Sequence, residues 1–285
     1  MLKPLLTALA LWAGPAHALQ ATLVGVFPWH EPSVHFGGLS GLELTADGNA
    51  FYALSDRGWL FAGKLIRTNG VITGASDITQ APLLDANGRR LGPGMTDSEG
   101  LALAPDGSLY ISFEGGARVW HYRHAGGAAT PLPDHPDFAK MERNASLEGL
   151  AIGPDGTLYT FPERSGRVDR PFNLYRFAHG RWTVPFAIPR RPPFLISGAD
   201  IGPDGKLYVL ERDYAGLGFR TRVRRFNLDG SGEETLLQTP VGEFDNLEGL
   251  SVWRDGTGAI RLTMVSDDNF LFLQQTQLVE YRVSD

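Results

Sequence analysis

Apolar and polar residues alternate in short runs along this chain, and one run recurs. Five copies align: GGLSGLELTADGNAFYALSDRG from Gly37, DSEGLALAPDGSLYISFEGG from Asp97, SLEGLAIGPDGTLYTFPERSG from Ser146, ISGADIGPDGKLYVLERDYAG from Ile196 and NLEGLSVWRDGTGAIRLTMVSDDN from Asn246. Each predicts a strand, an Asp-Gly turn and a second strand. Aspartate bonds its own backbone, glycine takes the positive φ that closes the hairpin, and a preceding proline, where present, presets the turn. The Asp-Gly pairs begin at Asp47, Asp106, Asp155, Asp204 and Asp255, roughly every 50 residues.

Two weaker strand-like runs follow the hairpins, such as Arg118–Arg123 with Ala128–Leu132 and Leu174–Phe177 with Arg181–Ala187. Four strands per repeat make one blade of a β-propeller, so the expected fold class is all-β, a single propeller domain over residues 19–285. Counting copies gives five blades. The longest interval, residues 58–96, leaves room for a sixth, degenerate one. Ala21–Phe27 has no hairpin of its own and is expected to pair beside Leu278–Val283, closing the ring. No segment sustains a 3.6-residue apolar period, which disfavours a helical solenoid.

Composition narrows the picture further. The 35 glycines and 19 prolines suit short strands and tight turns, and the absence of cysteine excludes disulfides, thiol catalysis and cysteine-based zinc sites. At the N-terminus, MLKPLLTALALWAGPAHA joins Lys3, an apolar run from Leu5 to Ala13 and Ala16-His17-Ala18, the pattern of a secretory signal peptide over residues 1–18. The expected location is therefore periplasmic or secreted, with a mature chain starting at Leu19. No later stretch is long and apolar enough to span a membrane. Losing Lys3 with the leader leaves 25 basic against 32 acidic residues, which argues against nucleic acid or an anionic membrane as the main partner.

The repeats also set acidic residues in register. In a propeller the first strand of each blade lines the axis, so its start and the end of the second strand share a rim. Glu99, Glu148 and Glu248 begin first strands, while Asp56, Glu114, Glu163, Glu211 and Asp267 end second strands. Asp56, Glu114 and Glu163 each follow the blade's tyrosine (Tyr52, Tyr110, Tyr159) by four residues, and Arg212 takes that place after Tyr208. These tyrosines are expected to pack between blades. A ring of carboxylates needs arginines, shared protons or a divalent cation to offset its repulsion. Arg57, Arg164 and Arg212 stand at the same rim, as possible clamps for substrate oxygens. Hard oxygen ligands from several strands suit Ca²⁺, with Asn144, Asn246 and Asn269 as neutral ligands. The carboxylates could equally be structural acceptors of backbone N–H groups. His30 and His35 precede the first repeat, and His35 is a weaker candidate for substrate binding. Ser40 fills the glutamate position in the first copy, but no G-x-S-x-G nucleophile elbow exists, so a serine esterase is unsupported.

The phrases GGLSGLE, DSEGLA, SLEGLA and NLEGLS, and above all the ending SDDNFLFLQQTQL, resemble the phytase-like family described as "esterase-like activity of phytase". The resemblance covers nearly all of the chain beyond residue 18. It implies an acidic active centre that falls here on Glu99, Glu148, Glu248, Asp267 and Asp268. It also implies hydrolysis of a phosphoester in a small, phosphorylated substrate. The shorter Glu-Gly-Leu phrase is also similar to calcium-dependent gluconolactonase-type propellers. A non-catalytic binding module is the third reading, and the oligomeric state is not legible.

Overall fold

A computed structural model describes residues 20–284. The proposed signal peptide lies outside the described residues. Strand β1 (Gln20–Pro28) is followed by β2 (Leu39–Leu44), β3 (Ala50–Ser55), β4 (Trp59–Thr68) and β5 (Val71–Pro82), the first blade. The second blade holds β6 (Ser98–Leu103), β7 (Leu109–Phe113), β8 (Arg118–Tyr122) and β9 (Ala129–Pro131). The third holds β10 (Leu147–Ile152), β11 (Leu158–Pro162), β12 (Phe172–Ala178) and β13 (Arg181–Ile188). The fourth is β14 (Leu195–Ile201), β15 (Leu207–Tyr214), β16 (Phe219–Phe226) and β17 (Glu234–Gln238). The fifth combines β18 (Asn246–Arg254), β19 (Ile260–Asp267) and β20 (Gln277–Ser284) with β1.

The propeller therefore has five four-stranded antiparallel blades. Residues 58–96 form β4, β5 and the connection into the second blade, so they contain no sixth. Closure is as expected: Ala21 pairs with Val283 and Phe27 with Leu278. Leaving β20 unpaired would expose a long edge, and β1 covers it.

The repeated Glu-Gly-Leu phrase has a structural cause at the axis. In every blade the register between the first two strands slips at this phrase, for instance between Leu147 and Leu150 and between Leu247 and Gly249. Such a bulge re-aims the side chain it carries. The glycine that follows permits the neighbouring blade to close in: a methyl on Gly249 would lie 2.7 Å from the Leu42 nitrogen. Gly41, Gly100, Gly149 and Gly198 meet the next inner strand similarly. The space they enclose with their neighbours is only about 10 Å³, at the lower limit for holding one water. The axis is thus pinched by a glycine neck.

Between blades the faces pack as apolar layers. Tyr159 and Tyr208 are buried in two of these layers, and Tyr52 and Tyr110 pack partly buried against two others. Serine hydroxyls tie neighbouring blades along the axis. Ser40 donates to the Ser98 carbonyl at 2.6 Å, Ser112 to that of Glu148 at 2.9 Å and Ser197 to that of Leu247 at 3.1 Å. Ser40 is therefore a structural tie.

Candidate metal centre at the acidic mouth

The bulges place Glu99 on β6, Glu148 on β10 and Glu248 on β18 at one mouth of the axis, all buried. Asp56, Glu114 and Glu163 follow β3, β7 and β11 directly, and Asp267 ends β19. Carboxylate oxygens of Asp97, Glu99 and Glu114 lie within 4.8 Å of one another, and those of Glu114, Glu148 and Glu163 do the same. Asp97 was not singled out in the sequence. The position two residues before the glutamate holds Asp97, Ser146 and Asn246 in three copies, and its consistent polarity was the available signal.

Arg212 divides this ring. Its guanidinium lies 3.2 Å from Glu163 and 3.2 Å from Glu248, and it also reaches the Asn246 oxygen at 3.4 Å. Asn246 in turn donates to Glu248 at 2.8 Å. Burial works against the arginine's charge, but Glu248, Glu148 and Glu163 outweigh it and hold the guanidinium more firmly protonated. The other half has no such partner. Glu99 is 7% and Glu148 3% exposed, yet among the described residues no donor is hydrogen-bonded to either carboxylate. Burial, then the charges of Glu148 and Glu248, pushes Glu99 well above the usual carboxylate range. Glu148 rises for the same first reason, against the pull of Arg212. Burial foremost also pushes Asp56, Glu114 and Asp267 up to about 7.

The remaining candidates divide in the same way. Asp268 accepts from the Gly38 nitrogen at 2.9 Å, the Phe270 nitrogen at 3.1 Å and the Thr276 hydroxyl at 3.0 Å, which makes it a loop brace. Arg57 lies over the Phe270 ring at 3.2 Å. Half-exposed Arg164 stands 3.4 Å from Glu163 and 3.9 Å from Glu142. His35 stacks on Trp59 at 3.7 Å and His30 is exposed. Asn144 is exposed. Glu211 turns away from the mouth and is enclosed by Arg222 and Arg224, because it sits one residue before the rim register.

A second acidic pair lies among the residues three beyond the mouth position. Glu43 and Asp200 occur there in the two blades whose mouth position is serine, and both are buried. Asp200 accepts from the Ile201 and Val252 nitrogens, each at 2.6 Å. Burial, then the Asp200 charge, pushes Glu43 well above its ordinary range.

A family model described as "Esterase-like activity of phytase" matches residues 34–270. No curated protein matches the chain. Among solved structures, a putative exo-β-1,3-galactanase from Bifidobacterium bifidum s17 is similar over 94% of each chain, at 15% identity and a TM-score of 0.56. The α-L-arabinofuranosidase PaAbf62A from Podospora anserina, in complex with cellotriose, is similar over 94% of this chain and 98% of its own, at 13% identity and a TM-score of 0.55. The gluconolactonase XC5397 from Xanthomonas campestris is similar over 85% of this chain and 72% of its own, at 16% identity and a TM-score of 0.47. These likenesses concern the fold alone.

Proposed function

The chain belongs to the phytase-like family, and on that premise we propose that it is an exported hydrolase that cleaves a phosphoester of a small molecule at the acidic mouth, with calcium as its cofactor. One observation carries the reading: Glu99 and Glu148 are buried carboxylates without donors, Glu99 converging with Asp97 and Glu114, and Glu148 with Glu114 and Glu163. Hard carboxylate oxygens converging in threes, in two groups that share Glu114, fit Ca²⁺. Asp97, Glu99 and Glu114 would hold it, with Glu114, Glu148 and Glu163 as the adjoining group, and when bound it would supply a Lewis acid for a phosphoryl oxygen. Glu248, part of the ligand set expected from the sequence, is engaged by Arg212 and Asn246 and serves in this reading to orient that arginine.

The protein's own groups do the rest. Arg164, half-exposed at the rim, is free enough to bind substrate oxygens once it leaves Glu163. Burial foremost pushes Asp56 and Asp267 up to about 7, so in this reading either takes a proton from a reacting water and returns it to a leaving oxygen at neutral pH. Calcium titration of the melting temperature tests the site, and panels of phosphoesters and lactones test the chemistry. The reading expects a calcium-dependent rise in melting temperature and calcium-dependent release of phosphate. Lactone opening without phosphate release would favour a lactonase, and calcium-insensitive melting would leave a binding module. Export is tested by the mass of the mature chain, expected to start at Leu19.

A further inference from the structure

Among the described residues, the five most exposed large apolar side chains are Val34, Val168, Leu217, Phe272 and Leu273, from 65% to 100% exposed. All five stand in connections on the mouth face: between β1 and β2, β11 and β12, β15 and β16, and β19 and β20. The opposite face carries the Asp-Gly turns at Asp47, Asp106, Asp155, Asp204 and Asp255, which are polar at their tips.

The loop bearing Phe272 is built to hold it out. Asp268 pins the loop to Gly38 and Thr276, while Asp245 accepts from the Gln274 side chain and the Gln275 nitrogen, both at 2.7 Å. Asn269 and Phe270 adopt left-handed backbone angles, φ 46° and 51°, a conformation that non-glycine residues enter at a cost. Leu217 tips a second hairpin, closed by the Ala215 nitrogen on the Gly218 carbonyl at 2.9 Å. Two ion pairs stand beside these tips, Arg167 with Asp169 at 3.0 Å and Arg220 with Asp213.

We propose that this face docks on a zwitterionic phospholipid surface, and that the ester cleaved in the mouth belongs to an amphiphile presented there; the second part rests on the hydrolase reading above. Separate apolar tips around the acidic mouth can enter a fluid interface without the matched relief that a protein partner requires. The two ion pairs beside them carry no net charge, which suits headgroups of no net charge. The acidic excess of the chain beyond residue 18, 32 acidic against 25 basic residues, and the acidic mouth disfavour an anionic surface. A second copy docked face to face would oppose two acidic mouths.

Co-sedimentation of the mature chain, starting at Leu19, with phosphatidylcholine vesicles, with and without added phosphatidylglycerol, tests the docking directly. Wild type is expected to partition onto the neutral vesicles. A Leu217→Ser, Phe272→Ser, Leu273→Ser variant should lose at least tenfold in partition coefficient at an unchanged melting temperature, since all three side chains are exposed. Wild type remaining in the supernatant, binding only to anionic vesicles, or binding no better than the variant would overturn the proposal. Hydrolysis is followed separately with a soluble phosphoester and a micellar one of the same headgroup. Vesicle binding with neither ester cleaved would keep the docking and remove the hydrolase reading. Cleavage of the soluble ester without vesicle binding would do the reverse.

Discussion

Arg212 crosses a blade boundary to Glu163, its Nη2 atom standing 3.2 Å from the glutamate Oε1. It occupies the register place that holds Asp56, Glu114 and Glu163 in the first three blades, so one repeat supplies a cation where the others supply an acid. The mouth is therefore partly neutralised from within. Arg212→Met should lower stability by about 3 kcal/mol without calcium, the scale for removing one partner of a largely buried ion pair. Calcium should restore part of that loss, because it can offset the uncovered charge. Chemical denaturation with calcium and with chelator measures both, and an equal loss in the two conditions would contradict a cation site beside the arginine.

The same division separates two glutamates that look alike in the sequence. Glu99 has no donor, whereas Glu248 is held by Arg212 and Asn246. Glu99→Gln should abolish most of the calcium-induced rise in melting temperature. Glu248→Gln should lower stability with or without calcium and leave most of that rise in place. Thermal melts of the two variants across a calcium titration decide the matter, and similar calcium responses would dissolve the distinction.

Much of this was legible because a propeller writes its geometry as a period. The Asp-Gly turns and paired strands counted five blades but left residues 58–96 open to a sixth, which β4 and β5 exclude, and Ala21–Phe27, lacking a hairpin, pointed to closure. The rim register brought Glu99, Glu148 and Glu248 together as expected. What period alone could not convey was side-chain direction. Glu211 lies one residue off the rim position, and in a strand that step sends it to the opposite face, into Arg222 and Arg224. Asp268 belongs to the acidic centre that the family resemblance implies, but a left-handed loop turns it onto backbone nitrogens. The Glu43 and Asp200 pair was visible in GLSGLE and ISGAD as an acid three residues beyond a serine, and only the glycine neck shows why that offset matters.

The neck itself makes a sharp stability prediction. A methyl at Gly249 would lie 2.7 Å from the Leu42 nitrogen, 2.7 Å from Val265 Cγ1 and 2.8 Å from the Gly41 carbonyl carbon, and the two backbone atoms cannot easily give way. Gly249→Ala should cost about 3 kcal/mol, at the upper end for overpacking. Gly92→Ala, where nothing lies within 4 Å and φ is not positive, should be nearly neutral. Urea denaturation of both compares them on one scale, and a neutral Gly249→Ala would mean that the inner strands do not close as tightly as the glycine ring requires.

The acid pair below the neck gives a pH dependence that can be separated from the mouth. Burial, then the Asp200 charge, raises the Glu43 carboxyl well above its ordinary range, while burial holds Asp200 at about 7 against two backbone donors. A raised folded-state value means that the native protein keeps a proton which the unfolded chain releases. The associated stability is present below the unfolded value of about 4.5 and is lost as pH rises toward the folded one. Glu43→Gln stays neutral throughout and keeps an oxygen to accept the Ser251 hydroxyl, now 3.5 Å from the carboxylate. It should match wild type at pH 4 and gain on it by up to about 1.4 kcal/mol per pH unit from pH 5 upward, until Glu43 ionises in the folded protein. The mouth carboxylates titrate in both proteins and drop out of the difference. Chemical denaturation at pH 4, 6 and 8 supplies the comparison, and a difference that stays constant or shrinks with rising pH would show that Glu43 is already ionised in the native state.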